Sequence, residues 1–226
     1  MIRIRRIAGM KIFLVRHGES EGNLGGTLQG CRLDTPLTRR GRRQAEALAV
    51  RLAEAEFDDV VASPMARARE TAEICAAPHG LAVRLDLELV EFDWGAWTGL
   101  PLDDEMDRCV AELRAKWRSG DVDAGPPRGE TPLSAGGRAA RVLARLKAVR
   151  PAAPLVVAHG RFNRIFMATL LGRDLARMDE VRQRNGSISV FEWDGDGPAT
   201  PLLLDDVSHL GGDVSIPAGK VDWARG

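Results

Sequence analysis

Three short apolar runs of the chain each end in residues that could bind or attack a phosphate group. These residues are Arg16, His17 and Gly18 after the first run, Ser63, Pro64 and Arg67 after the second, and His159 and Gly160 after the third. In open α/β sheets, ligands bind beyond the carboxyl ends of the strands, so three separate segments could converge on one crevice there. The pattern therefore predicts a phosphate site that is built from three loops.

Transfer of a phosphoryl group requires positive charge around its nonbridging oxygens. With no Mg²⁺ site evident in the sequence, the guanidinium groups of Arg16 and Arg67 are suited to supply it. A neutral imidazole can attack phosphorus in line, and nearby arginines would lower its pKa and keep it unprotonated. We predict that His17 is the nucleophile, because Gly18 lets the backbone approach a substrate closely. His159 would donate a hydrogen bond or positive charge to the transferring group.

The same reaction needs a carboxyl group, because the leaving oxygen must gain a proton and the attacking water must later lose one. Glu91 is the candidate for this acid–base role. It lies in the segment EFDWGAWTG, where two tryptophans and two glycines predict a tight, partly apolar turn. Taken singly, each candidate residue is more often a turn cap, a solvated charge or part of a core. It is far less common for such ordinary roles to account for all of these positions at once.

Strand-like and helical patterns alternate along the chain, which favours an α/β fold with a parallel sheet covered by helices. Strands are predicted at 11–15, 59–62, 155–158 and 188–193. Helices are predicted from the Thr38 cap to about 57, and at 64–76, 103–118, 135–149 and 161–171. Residues 120–131 are predicted to form a long loop, and the segment after residue 193 to be irregular. We expect a single domain over residues 11–226, after a disordered extension at residues 1–10.

Composition excludes several classes of protein. Lys and Arg together number 32, as do Asp and Glu, so the charge balance does not indicate a nucleic-acid or membrane partner. The apolar stretch near the N-terminus is too short for a signal-peptide core or a membrane span. The three cysteines lie far apart without CxxC spacing, which favours free thiols and a cytoplasmic location.

A metal-binding protein is one alternative, with ligands drawn from acidic residues and from His17, His79, His159 and His209. However, no HxxH, HExxH or CxxC spacing occurs, and the arginines beside the candidate histidines would repel a cation. We therefore expect no metal and no other cofactor.

Together, the motifs resemble those of the histidine phosphatase superfamily, also called the phosphoglycerate-mutase-like family. LVRHGES at 14–20 is similar to its signature, SPMARARETA at 63–72 to the segment with its second clamp arginine, and VVAHG at 156–160 to the segment with its second histidine. EFDWGAWTG is similar to the segment with its acid–base glutamate. The resemblance spans residues 11–190 and implies a three-layer sandwich, with helices on both faces of a mostly parallel sheet and no metal cofactor. The catalytic set that it implies is Arg16, His17, Arg67, Glu91 and His159.

The resemblance also predicts residues that bind substrate. Asn23 matches an asparagine beside the family's pocket, Gln29 begins its characteristic loop, Gly160 follows the second histidine, and Arg164 matches a downstream arginine. Arg161 is a departure, since many phosphatases of this group have small residues after the second His-Gly. It could favour a substrate with a second anionic group or face solvent, and the sequence leaves both open.

Mutases and phosphatases of this superfamily share the catalytic pocket and differ mainly in whether a second hydroxyl or water accepts the phosphoryl group. Mutases typically carry a tryptophan where this chain has Gly22, and a Ser-Asp pair where it has Ser63 and Pro64. We therefore expect a metal-independent phosphatase that acts on a small phosphate ester through a phosphohistidine intermediate. A bisphosphoglycerate-dependent phosphoglycerate mutase and a noncatalytic scaffold remain as alternatives, and formation of a homodimer is left open.

Overall fold

The computed structural model describes residues 9–212, and the fold of this part is built around one twisted sheet. Its six strands are β1 (Met10–Arg16), β2 (Asp59–Ala62), β3 (Val83–Leu85), β4 (Pro154–Ala158), β5 (Ile188–Trp193) and β6 (Thr200–Asp206). They lie in the order β3-β2-β4-β1-β5-β6. The strands from β3 to β1 run parallel to their neighbours, whereas β5 and β6 pair antiparallel. The prediction of a mostly parallel sheet is confirmed.

Helices cover both faces of the sheet. They are α1 (Glu21–Leu24), α2 (Arg39–Leu52), α3 (Ala66–Ala76), α4 (Asp104–Arg118), α5 (Pro132–Val149) and α6 (Gly160–Leu170). α2 and α3 bury Leu48 and Ala72 against one face, and α5 and α6 bury Leu146 and Phe162 against the other. Every residue of β4 is buried, because this strand is covered on both sides, and its sequence is accordingly a continuous apolar run. The predicted three-layer sandwich is therefore confirmed.

Two strands were not expected from the sequence. β6 lies in the segment that was predicted to be irregular, and that prediction was wrong. Pro201 interrupts its pattern, and it is accommodated because β6 is an edge strand of the sheet. β3 is the other edge strand and has only three residues, too few for a recognisable alternation.

Several boundaries also differ from the prediction. α3 begins at Ala66 rather than Pro64, and α5 begins at Pro132, where the Thr131 hydroxyl caps the helix. Met10 belongs to β1, so this strand starts one residue earlier than predicted. Residues 1–8, which make up most of the predicted disordered extension, lie outside the described residues.

The sheet brings the three predicted loops together. β2, β4 and β1 are adjacent, and their carboxyl ends lead into Ser63, His159 and His17 respectively. The backbone N–H of His17 donates to the Ala158 carbonyl at 3.1 Å, and that of Ser63 donates to the Val157 carbonyl at 3.0 Å. These bonds continue the pairing of the strands into the loops, so both histidines start from a rigid support.

A close contact of two glycines fixes the loop after β1 against the start of α2. A Cβ atom on Gly18 would lie 2.3 Å from the Gly41 carbonyl oxygen, and one on Gly41 would lie 2.0 Å from the Glu19 carbonyl oxygen. Neither glycine is among the described residues with positive φ, so close packing, not backbone conformation, requires them. Gly18 was predicted to allow close approach to a substrate. In the structure it allows close approach of a helix.

We predict that Gly41→Ala lowers the free energy of unfolding by about 1–3 kcal/mol, because the added methyl group overlaps the Glu19 backbone. Gly137→Ala in α5 is the matched control, since a Cβ there meets only the Arg141 guanidinium, at 3.6 Å. That control should be neutral or stabilising by up to about 1 kcal/mol, as expected for glycine replacement within a helix. Urea denaturation followed by circular dichroism measures both, and equal effects would contradict the steric explanation.

Candidate active site

His17 follows β1 and is 2% exposed. Its Nδ1 lies 2.6 Å from the Gly18 carbonyl oxygen, and because a carbonyl can only accept, Nδ1 must carry the hydrogen. The lone pair of the neutral ring is therefore on Nε2. Burial, followed by the charges of Arg67 and Arg16, holds the pKa of His17 well below the usual histidine value. The result is a neutral imidazole with an available nucleophilic nitrogen.

Arg16 and Arg67 are held by backbone carbonyls. Arg16 donates through Nη1 to the Gln183 carbonyl. Arg67 is 1% exposed and donates to the carbonyls of Gly30 at 3.1 Å and Leu33 at 3.2 Å. Burial lowers the pKa of both groups, that of Arg16 to about 10. An arginine guanidinium stays protonated at neutral pH in proteins. The Nε atoms of both are buried and have no hydrogen-bond partner among the described residues.

His159 lies beside His17 at the end of β4. The centroids of the two rings are 5.0 Å apart, and His159 Nε2 lies 2.8 Å from the Ser63 hydroxyl oxygen. Its Nδ1 is buried and has no partner in the described part of the chain. Burial and then Arg67 lower the pKa of His159 well below the usual value. The Ser63 hydroxyl thus orients the ring while the second nitrogen remains available.

Glu91 binds the N-terminus of α6. Its carboxylate accepts hydrogen bonds from the backbone N–H groups of Phe162 at 2.9 Å and Arg161 at 3.2 Å. His159 is the N-cap residue of this helix but makes no capping bond with its side chain, so Glu91 supplies the acceptor. The carboxylate also acts electrostatically on Arg16 and Arg67, whose pKa values it raises. The tight turn predicted in this segment is a 3₁₀ turn at Gly95–Trp97.

The predicted substrate-binding residues lie around this centre. Gly160 leaves room for the Arg16 guanidinium, since a Cβ there would lie 3.1 Å from its Cζ. Asn23 Oδ1 accepts from the backbone N–H of Ser20 at 3.1 Å, and Gln29 Nε2 donates to the Ser20 hydroxyl at 3.0 Å. Asn23 and Gln29 thus organise the loop that follows His17. Their contact with a substrate stays a prediction.

Arg161 lies in a buried cluster around Asp179. It is 7% exposed, donates to Asp179 Oδ1, and lies over the ring of Trp117 at 5.2 Å. Arg164 donates to the same carboxylate at 3.0 Å, and Arg114 of α4 donates to it at 2.8 Å. These arginines hold the pKa of Asp179 far below its usual range. Arg161 therefore does not face solvent, and a contact of its side chain with substrate stays a prediction.

The sequence did not identify the segment before β5 as part of the site. Asn185 Nδ2 donates to the carbonyls of His17 at 3.2 Å and Gly18 at 3.3 Å, and to Asn23 Oδ1 at 3.1 Å. The backbone N–H of Gly186 donates to the His17 carbonyl at 3.1 Å. An Asn-Gly pair before a strand predicts a turn and gives no sign of this contact.

Neither a metal cluster nor a membrane-spanning helix is found within the described residues. No group of three or more His, Cys, Asp or Glu side chains is placed to hold a metal ion among residues 9–212. In that same range, no helix combines the length and apolar character needed to cross a membrane. The predictions of metal independence and of a cytoplasmic location are not decided by these findings.

A mostly parallel sheet with two histidines, two arginines and a glutamate gathered near the carboxyl ends of β1, β2 and β4 is suited to phosphoryl transfer. The family model of the histidine phosphatase superfamily (branch 1) matches residues 12–206. This chain belongs to the histidine phosphatase superfamily, as its motifs predicted.

Relatives with assigned names fall into two kinds. The Escherichia fergusonii protein named "Probable phosphoglycerate mutase GpmB" is 32% identical over 210 residues, which cover 89% of this chain and 95% of that protein. The α-ribazole phosphatase of Shigella flexneri is 30% identical with a TM-score of 0.75, covering 87% of this chain and 96% of that one. A mycobacterial glucosyl-3-phosphoglycerate phosphatase is 28% identical with a TM-score of 0.77, covering 87% and 99%. These names include both phosphatase and mutase activities.

We predict that Arg67→Met raises the pKa of His17 toward the usual histidine value. The cause is the loss of a nearby positive charge, which favours the imidazolium form. NMR titration of ring-labelled histidine in the free protein measures this shift, with the resonance assigned from its loss in His17→Gln. The unaltered protein should keep a neutral His17 ring through pH 6.5 and below.

Arg42→Met is the matched control for this titration. Arg42 is half-exposed and pairs with Glu70 at 2.6 Å, outside the set of groups that lower the pKa of His17. This variant should leave the titration unchanged. An ordinary His17 pKa in the unaltered protein, or the same shift in both variants, would contradict the electrostatic account.

Proposed function

We propose that this protein hydrolyses the phosphate monoester of a small metabolite without a metal ion, through a phosphohistidine at His17. The observation that carries this proposal is a set of buried nitrogens without partners among the described residues, namely Arg16 Nε, Arg67 Nε and His159 Nδ1. Buried polar groups are almost always hydrogen-bonded, so such a cluster indicates a polar ligand. A phosphoryl group offers several oxygens and two negative charges to these donors.

In the first half of the proposed reaction, the Nε2 lone pair of His17 attacks phosphorus. A P–N bond forms as the P–O bond to the leaving group breaks, and protonated Glu91 transfers its proton to the leaving oxygen. Arg16 and Arg67 offset the charge that spreads over the nonbridging oxygens. In the second half, Glu91 takes a proton from water, whose oxygen attacks phosphorus and releases phosphate and neutral His17.

Water rather than a second phosphorylated substrate is proposed as the acceptor. Gly22 stands where mutases typically carry a tryptophan, and a Cβ there would lie 2.3 Å from Gln29 Cδ. Gln29 is buried and bonded to Ser20 and Thr35, so its side chain already fills this space. The relatives named as phosphatases support this choice, whereas the relative named as a phosphoglycerate mutase keeps the mutase as the second candidate.

We predict release of inorganic phosphate from a panel of phosphomonoesters in the presence of excess EDTA, and its loss in His17→Ala. The panel includes nitrophenyl phosphate, α-ribazole 5′-phosphate and sugar phosphates. His79→Ala is the control, because His79 packs on Phe57 before β2, at the opposite end of the strands. Turnover that survives His17→Ala or disappears with EDTA would contradict the proposal. If no ester of the panel releases phosphate, a noncatalytic scaffold is favoured.

Incubation with 3-phosphoglycerate and a catalytic amount of bisphosphoglycerate separates the two candidate acceptors. A phosphatase releases phosphate and gives little 2-phosphoglycerate. Conversion to 2-phosphoglycerate with little phosphate release would establish the mutase instead.

We predict that Glu91→Gln slows hydrolysis of an alkyl phosphate by about 10²–10⁴-fold, the usual range for loss of a general acid. Nitrophenyl phosphate should lose much less, because its leaving group needs little protonation. Single-turnover rates of phosphoenzyme formation with the two esters measure the difference. Equal losses for both esters would show that Glu91 does not act as the acid.

A further inference from the structure

A cavity of about 300 Å³ is lined in part by Glu91. Its size is at the lower end of the range for small-molecule sites. Its lining residues are Cys31, Val90, Glu91, Asp93, Gly129, Glu130, Ser134 and Arg138. None of the assigned phosphate-binding arginines or histidines is among them, so the cavity lies next to the phosphate site and is distinct from it.

The position of this cavity is that expected for the group which leaves the phosphate. Glu91 lines it, and in the proposed reaction Glu91 donates a proton to the leaving oxygen. Cys31 lines it as well, and the preceding residue, Gly30, accepts a hydrogen bond from Arg67. The cavity therefore extends from the acid and one phosphate clamp, where the alcohol part of a bound ester must lie.

Negative groups outnumber cations in this cavity. Asp93 and Glu130 contribute carboxylates beside the proposed acid Glu91, and among the described lining residues Arg138 is the one cation. Its Nε and Nη2 each donate to Glu130 at 2.8 Å, and its Nη1 donates to the Val90 carbonyl at 3.0 Å. The face of the guanidinium lies 4.6 Å from the Phe162 ring centroid. The N–H groups of the Arg138 guanidinium and one of its faces are therefore already in contact with other groups.

A second arginine, Arg32, pairs with one of the lining carboxylates. It is half-exposed, and its Nη2 donates to Asp93 Oδ2 and to the Arg128 carbonyl, both at 2.8 Å. Burial and the lining charges also act on the Cys31 thiol. Burial, then Asp93 and Glu130, raise its pKa to about 11, and Arg138 opposes them less strongly. A negative group placed in the cavity would meet the same unfavourable field.

We propose that this cavity selects phosphate esters whose alcohol part is uncharged and rich in hydroxyl donors, and that it rejects an alcohol part bearing a carboxylate. The inference rests on the proposed function. Carboxylate oxygens accept hydrogen bonds from hydroxyl groups, whereas a further carboxylate placed among them is repelled. Arg138, the one cation of the described lining, is already paired with Glu130. Glu130 and Asp93 are the specificity-determining residues that this assigns, whereas Glu91 serves the chemistry as the acid.

Glycerol 3-phosphate and 3-phosphoglycerate test this most directly, because they differ in size only slightly and in one carboxylate. The expected kcat/KM for phosphate release is at least about tenfold higher for glycerol 3-phosphate, since placing like charges together is strongly unfavourable. Nitrophenyl phosphate is the activity reference. Equal values, or a preference for 3-phosphoglycerate, would overturn the inference while the phosphatase activity stands. No release from any ester would overturn the proposed function itself.

Glu130→Gln assigns the preference to this cavity. It removes one carboxylate and frees Arg138 for an anion, so kcat/KM for 3-phosphoglycerate should rise relative to glycerol 3-phosphate by several-fold. A gain of this kind cannot come from general damage to the fold. Asp93→Asn, which keeps an acceptor for the Gly95 N–H, should shift the ratio in the same direction.

Glu88→Gln is the matched control, because Glu88 is paired with Arg141 at 2.7 Å and does not line the cavity. The ratio should not change in this variant. A ratio that stays unchanged in both Glu130→Gln and Asp93→Asn, or that changes equally in Glu88→Gln, would overturn the assignment of specificity to the cavity.

Discussion

Two positive charges buried beside an uncharged histidine are the arrangement on which the rest of the site depends. A buried guanidinium loses its hydration, which costs several kcal/mol unless other groups take the place of water. Carbonyl oxygens of Gln183, Gly30 and Leu33 do this for Arg16 and Arg67, and the Glu91 charge opposes the desolvation of both. Burial, together with these charges, lowers the pKa of His17 and holds its ring neutral. The buried arginines therefore serve both the binding of an anion and the activation of the nucleophile.

The fold keeps these groups in place through elements that also form the core. β1 and β4 are central parallel strands, so the residues that follow them start from the most rigid part of the sheet. α6 contributes in two ways, since its first turn binds Glu91 and its next residues are bound to Asp179. Asp179 also accepts a hydrogen bond from Arg114 of α4, so its carboxylate links α4 to α6. The position of the Glu91 carboxylate thus depends on packing some distance away.

The sequence predicted the parts of this arrangement that depend on local pattern. The apolar runs before His17, Ser63 and His159 predicted three strands, and the rule that ligands bind beyond the carboxyl ends of parallel strands predicted that their loops could converge. The contacts that depend on long-range geometry were not predictable. Asn185 reaches His17 from a turn more than 160 residues later in the chain, as its hydrogen bonds show. The buried pairing of Arg161 with Asp179 is of the same kind, because no local pattern distinguishes it from an exposed arginine.

The central claim is that His17 forms a covalent bond to phosphorus, and trapping that species tests it most directly. The protein is mixed with nitrophenyl phosphate, quenched in alkali within one turnover, and digested for mass spectrometry of the peptide that contains His17. The account predicts phosphate on this peptide, stable to alkali and labile to acid, and absent from His17→Ala. Rapid turnover without any adduct, or an acid-stable phosphate on another residue, would contradict it.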